Sequence, residues 1–196
     1  MSRVLIAAPL RLEAWLIRSA ASGARVLRTG MGPRRARAAA RALLDEPGDA
    51  LLVVGFCGGL DEESEPGEVV IAEEVLAAAD EGHSPEPVAC AGAKELATAL
   101  ARTGLRVRSG PVVCVSRLAL GERRAQLRAG GAIAVDMESV WLAAGAGGRP
   151  FGVLRVVLDS PSHELLRPQA AVGAVRAGRA LRRAVAAALH EWAPGD

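Results

Sequence analysis

The chain has 196 residues, a formal net charge of +2 and a 51% share of hydrophobic residues, enough for one domain with a substantial core. So small a charge does not point to nucleic acid. No apolar run approaches the roughly 20 residues of a membrane span, and the first one, Val4-Leu5-Ile6-Ala7-Ala8, is strand-length rather than a signal-peptide core.

In chain order, short apolar runs alternate with longer amphipathic ones. They predict strand Arg3–Ala8, helix Leu10–Ala20, strand Ala24–Thr29, helix Pro33–Asp45 and strand Ala50–Gly55. Further strands are expected at Glu68–Glu73, Arg106–Ser109, Val112–Ser116, Ala132–Asp136 and Phe151–Asp159, and further helices at Gly92–Arg102, Gly121–Arg128, Glu138–Ala146 and from Gln169 to Trp192. This is the alternation of a sheet with helices on both faces. No Pro/Gly/Ser-rich linker divides it, so residues 1–196 read as a single domain, and Ala77–Gly92, with Pro85 and Pro87, is expected to be the least structured stretch and a mobile loop. Cys57, Cys90 and Cys114 are odd in number and scattered, as expected of buried free thiols in the reducing cytoplasm.

Four strand ends carry polar or glycine-rich residues. Glu13 follows the first strand within about one helical turn, a place that also suits a solvent-facing helix residue. Gly55-Phe56-Cys57-Gly58-Gly59-Leu60 follows Leu51-Leu52-Val53-Val54, and its glycines suit either a tight turn or close backbone approach to a ligand. It is neither a nucleotide-triphosphate loop nor a dinucleotide fingerprint. Asp136-Met137-Glu138-Ser139 puts two carboxylates where a strand gives way to a helix. The pair could cap the helix, or Glu138 could take sugar hydroxyls. Arg155-Val156-Val157-Leu158-Asp159-Ser160 is an apolar strand ending in an acid, placed either to cap the turn at Pro161 or to donate a proton from a buried crevice.

Taken in order, these motifs resemble the nucleoside phosphorylase and nucleosidase superfamily of the methylthioadenosine/S-adenosylhomocysteine nucleosidase type. The glycine run followed by Pro66-Gly67-Glu68-Val69-Val70-Ile71 is similar to that family's glycine turn and following strand, the Met137-Glu138 pair to its ribose motif, and Arg155 to Asp159 to its acid-bearing strand. Within it, Arg28-Thr29-Gly30-Met31-Gly32-Pro33 and the segment Asp159-Ser160-Pro161-Ser162-His163-Glu164-Leu165 are most similar to the hopanoid-biosynthesis branch that acts on adenosylhopane. The resemblance implies a three-layer α/β/α domain with a central mixed twisted sheet, a homodimer, no cofactor, and a small-molecule adenine nucleoside substrate with an apolar 5′ substituent. It assigns Asp159 as the general acid toward the leaving adenine, Glu13 as the activator of water and Arg155 as the group that orients water and carboxylates. It places Met137 and Glu138 at the ribose, and Phe56, Cys57 and Gly58 along the substrate.

Two departures bear on the reaction. Phosphate-using members carry an Arg two residues before the first glycine of the turn and a Ser just after it, where this chain has Val53 and Phe56. The serine before the acid is replaced by Leu158. Hydrolysis is therefore expected ahead of phosphorolysis, with a nucleoside-binding protein that lost turnover as an alternative from another class. His83, His163 and His190 lack metal-ligand spacing, so no metal is expected, and Cys57 is expected to be a structural thiol rather than a nucleophile. Arg34, Arg35, Arg37 and Arg41 on one helix, and Arg176, Arg179, Arg182 and Arg183 on another, read as solvated faces. The second cluster would also suit peripheral contact with an anionic membrane surface. Trp141 and Trp192 are expected in packing or at a subunit interface.

Overall fold

The alternation of the first strand sets the layers of the fold. In β1 (Val4–Ala8), Val4, Ile6 and Ala8 join the core shared with α1 (Arg11–Arg18), α3 (Ala93–Arg102) and α6 (Ala170–Glu191). Leu5 and Ala7 join the core on the other face, shared with α2 (Pro33–Leu44), the single-turn helix α5 (Ser139–Leu142) and the 3-10 turn Ala143–Ala146. The result is the three-layer α/β/α sandwich around a mixed sheet that the resemblance implies. These positions come from a computed structural model, which describes residues 3–21, 23–79, 85–163 and 170–192.

The sheet runs β2 (Arg25–Arg28), β1, β3 (Ala50–Gly59), β7 (Ala134–Asp136), β6 (Val107–Cys114), β4 (Val69–Ala77), β5 (Val88–Ala89), and β8 (Phe151–Asp159) pairs with both β3 and β4. Strands β3, β8, β4, β6 and β7 therefore close a ring, with β3–β8, β4–β6 and β6–β7 parallel and β4–β8 and β3–β7 antiparallel. A smaller apolar cluster, including Leu60, Val113, Val135 and Leu127 of α4 (Glu122–Ala129), fills one end of it.

The structure corrects the local reading at several points. Gly55–Gly59 is not a turn: β3 continues through it, paired with Arg155 to Asp159 of β8 and then with Val135 and Ala134 of β7. None of those glycines has positive φ, and each is small because other side chains occupy the space above it. Arg106–Ser109 and Val112–Ser116 are one strand, β6, which passes through Gly110 and Pro111, while the irregularity falls opposite, between Ala72 and Val75 of β4. The last part of Ala77–Gly92 is ordered: β5 pairs with Glu74 and Val75, and residues 80–84, with His83, lie outside the described residues. So do Gln169, at the expected start of the last helix, and Glu164-Leu165. The expected helix over Glu138–Ala146 is one α-helical turn followed by the 3-10 turn. There Gly145 presses on α2 so closely that a Cβ on it would meet the Ala40 carbonyl oxygen at 3.0 Å. Trp141 and Trp192 are both buried in the interior.

Candidate active site

Glu13 sits on the first turn of α1 with its carboxylate turned inward, against the solvent-facing alternative. The Leu10 N–H donates to its Oε2 at 2.6 Å and the Phe56 N–H to its Oε1 at 2.7 Å, so one side chain ties the end of β1 to the middle of β3. This is why residue 55 is glycine: a Cβ there would lie 2.6 Å from Glu13 Oε1 and 2.6 Å from Arg155 Nη1. Burial raises the proton affinity of Glu13 above the ordinary carboxylate value, against the opposing pull of Arg155 and the two N–H donors.

Asp136 and Glu138 divide the labour of the strand-end motif. Asp136 organises the turn. Its Oδ1 accepts from the Glu138 and Ser139 N–H groups at 3.2 and 3.3 Å and from the Cys114 thiol at 2.8 Å, and its Oδ2 accepts from the Ser139 hydroxyl and, at 2.6 Å, from Arg155 Nη2. Glu138 is buried alongside, held by the Gly32 N–H at 2.8 Å on Oε1 and by Arg155 at 3.8 Å from Oε2. Burial first, and the Asp136 charge second, push its carboxyl up to about 7 despite Arg155.

Arg155 has no exposed surface. Its Nη2 also donates to the Ser139 hydroxyl at 2.9 Å and its Nη1 to the Phe56 carbonyl at 3.4 Å. It neutralises the carboxylates from behind. Asp159 ends β8, buried, and pairs with Arg124 of α4.

A cavity of about 160 Å³ joins these groups. It is lined by Glu13, Phe56, Cys57, Gly58, Met137, Glu138 and Asp159, all expected site residues, together with Asp136 and the apolar Pro9, Leu10, Met31, Leu118, Val135 and Leu158. Arg155 does not line it. The larger hollow of about 670 Å³ between α6 and the Gly104–Arg106 edge has four exposed arginines and, among the described residues, no carboxylate in its wall, so the groups suited to acid–base chemistry lie in the smaller one. Among the described residues every charged side chain lining the smaller cavity is a carboxylate. Such a wall is suited to a developing positive charge and hostile to an anion. Burial also pushes the Cys57 thiol far above its ordinary range, so it forms part of the wall rather than a nucleophile. Among the described residues no cluster of three or more His, Cys, Asp or Glu could hold a metal ion.

Sequence reasoning missed Arg124, Met31 and Leu118. Arg124 lies in the charged stretch Glu122-Arg123-Arg124, where it looks like its neighbour. The available signal was Leu127, three residues on and so on the same helical face, which marks that face as the inner one.

The chain has the fold of a Helicobacter pylori methylthioadenosine/S-adenosylhomocysteine nucleosidase variant crystallised with 5′-methylthioadenosine in its active site, at 14% identity, a TM-score of 0.82, and 98% of this chain and 100% of that one covered. The Neisseria meningitidis 5′-methylthioadenosine/S-adenosylhomocysteine nucleosidase in complex with methylthio-immucillin-A aligns at 22% identity and TM-score 0.78, over 98% and 100% of the two chains. The futalosine hydrolase of Helicobacter pylori aligns at 15% and 0.80, over 97% and 98%. At these identities the likeness is one of fold. No curated protein matches the chain by sequence. The family model of the phosphorylase superfamily matches residues 16–186, almost the whole of the fold described above, and the chain belongs to that superfamily.

Proposed function

We propose that the protein is a purine N-ribosidase that hydrolyses the bond between C1′ and N9 of an adenosyl compound and releases adenine, with adenosylhopane as the substrate. The observation that carries hydrolysis is the all-carboxylate wall of the cavity. As the C1′–N9 bond breaks, the ribosyl group takes on cationic character, which Glu13, Asp136 and Glu138 favour electrostatically, whereas among the described residues no cationic side chain lines the cavity to hold a phosphate dianion. Asp159 gives a proton to N7 of the departing base, water adds to C1′, and Glu13 takes the proton that the water loses. Glu138 accepts hydrogen bonds from the ribose hydroxyls. Structural relatives crystallised with 5′-methylthioadenosine and methylthio-immucillin-A support a purine nucleoside in this cleft.

The large apolar 5′ group is supported by the mouth. Met31 and Leu118 line the cavity yet are 49% and 61% exposed, so an apolar substituent leaving the ribose passes over side chains that gain by being covered. A homodimer would cover Leu12 and Trp15, exposed together on α1 beside Glu13. Peripheral membrane contact would use Arg176, Arg179, Arg182 and Arg183 with the exposed Val172 and Val175 of α6. Among the described residues no helix is long and apolar enough to cross a membrane.

The test is a panel of adenosylhopane, methylthioadenosine, adenosine and futalosine, assayed with and without phosphate by release of the free base. Adenine released from adenosylhopane without phosphate is the expected result. Release that requires phosphate and yields the sugar 1-phosphate overturns hydrolysis, and a preference for methylthioadenosine or futalosine overturns the substrate.

A further inference from the structure

The acid at the end of β8 is preceded by Leu158, whose side chain lines the cavity and has no hydrogen to donate. A polar partner of that acid is Arg124, 35 positions earlier on α4 and only 3% exposed. The guanidinium is fully engaged. Nε donates to the Ala119 carbonyl at 2.9 Å, Nη1 to the Gly59 carbonyl at 3.4 Å, and Nη2 to Oδ2 of Asp159. Arg124 does not line the cavity, whereas Asp159 does. A Cβ on Gly58, which also lines the cavity, would lie 3.1 Å from Arg124 Nη2 and 3.3 Å from Asp159 Oδ1, so glycine leaves room for the pair.

We propose that Arg124 is the positioning residue of Asp159: by holding Oδ2 it fixes the rotation at which the carboxyl group meets the purine base. A carboxylate can turn about its last bond and is broad in its preferred angle. A guanidinium fixed at two carbonyls removes that freedom before the base arrives, and pre-set geometry of this kind is where much of the advantage of an enzymic acid lies. The same bracket fixes Ala119, next to Leu118 at the mouth. The catalytic consequence rests on the nucleoside-cleaving reading above, whereas the geometry itself does not.

The experiment uses adenine as the probe. Its dissociation constant is measured by calorimetry for the wild type, R124Q, R124K, D159N and the R124Q/D159N double variant, with kcat and KM wherever a base is released. R124Q is expected to weaken adenine about tenfold or more and to lower kcat more than it raises KM, and R124K to recover most of the loss. In D159N, adding R124Q changes adenine affinity less than about twofold, because nothing is left to position. Losses that multiply, with R124Q costing the same factor in both backgrounds, overturn the proposal and leave Arg124 a bracket for the loop. So does a wild type that does not bind adenine. R124Q leaves the buried Asp159 without this partner and can fail to fold; in that event the smaller loss that R124K retains must vanish in R124K/D159N, and a loss that persists there overturns the proposal, with thermal melting to confirm folding. A wild type that shows the coupling but cleaves no nucleoside keeps the positioning role and ends the hydrolase reading.

Discussion

The backbone N–H of Gly32 donates to Oε1 of Glu138 at 2.8 Å, across 106 residues of sequence. The turn that opens α2 and the segment that follows β7 are therefore one unit, and Gly32 holds its part at φ +89° with open space around its Cα. A side chain there is strained by its backbone rather than by a clash. G32A should destabilise the protein by about 1–2 kcal/mol and weaken nucleoside binding by turning the N–H away from Glu138. Thermal melting and calorimetry with an uncleavable adenosine analogue measure the two effects. Unchanged affinity would show that Glu138 does not depend on this contact.

Because Glu138 is pushed up to about 7, binding that uses its ionised form is linked to pH. Affinity for the analogue should fall about tenfold per unit below pH 7 and level off above it, and E138Q should lose both the affinity and the slope. Stability runs the other way. The folded state retains a proton on Glu138 that the unfolded chain, with the ordinary value of 4.5, has released. Its contribution is therefore fully present below about pH 4.5 and lost as pH rises through about 7. A melting temperature followed from pH 4.5 to 8 should show that decline in the wild type and a shallower one in E138Q.

Asp159 is the proposed donor to the base. D159N keeps the shape and removes the proton, so base release should drop by about 10²–10⁴-fold while analogue binding remains measurable. Undiminished release in a single-turnover assay would remove Asp159 from that role.

G55A introduces a Cβ 2.6 Å from both Glu13 Oε1 and Arg155 Nη1. Neither group has room to retreat, since Arg155 is fully buried and Glu13 is tied at both oxygens. We expect a loss of about 1–3 kcal/mol in stability from overpacking and a fall in kcat larger than that from a comparable substitution at the exposed Gly104. Denaturant melts beside steady-state kinetics separate the two. Full activity in G55A would show that the water-activating end of the cleft tolerates displacement.

Leu118 offers a test of the mouth. L118S should raise KM severalfold for a substrate with a long apolar 5′ substituent while leaving kcat and KM for adenosine nearly unchanged. Equal effects on both would place Leu118 against the base or sugar instead.

Most of the layers were legible because apolar periodicity records which face is buried. The alternation in β1 and the inward stripe of α1 carry the sandwich almost unaided. Glu13, Glu138 and Asp159 were legible because each follows an apolar strand, and strand ends are where this architecture leaves polar groups near a cleft. What was not legible depends on partners distant in sequence. Gly55–Gly59 looks like a turn until Arg155, Glu13, Arg124 and Ser64 are seen to fill the space above a continuous strand. The closure of β3, β8, β4, β6 and β7 into a ring depends on β8 pairing on both sides, which periodicity does not encode. Arg124 was hidden because a charged helix shows which face is inward only through its one apolar neighbour.

The four carboxylates lining the cavity also sort molecules by charge before any chemistry begins. Adenine nucleotides share the base and ribose of the proposed substrate but carry phosphates on the 5′ carbon, and a wall of like sign repels them. The same arrangement that favours a ribosyl cation would leave such nucleotides uncut and keep them from occupying the site as inhibitors.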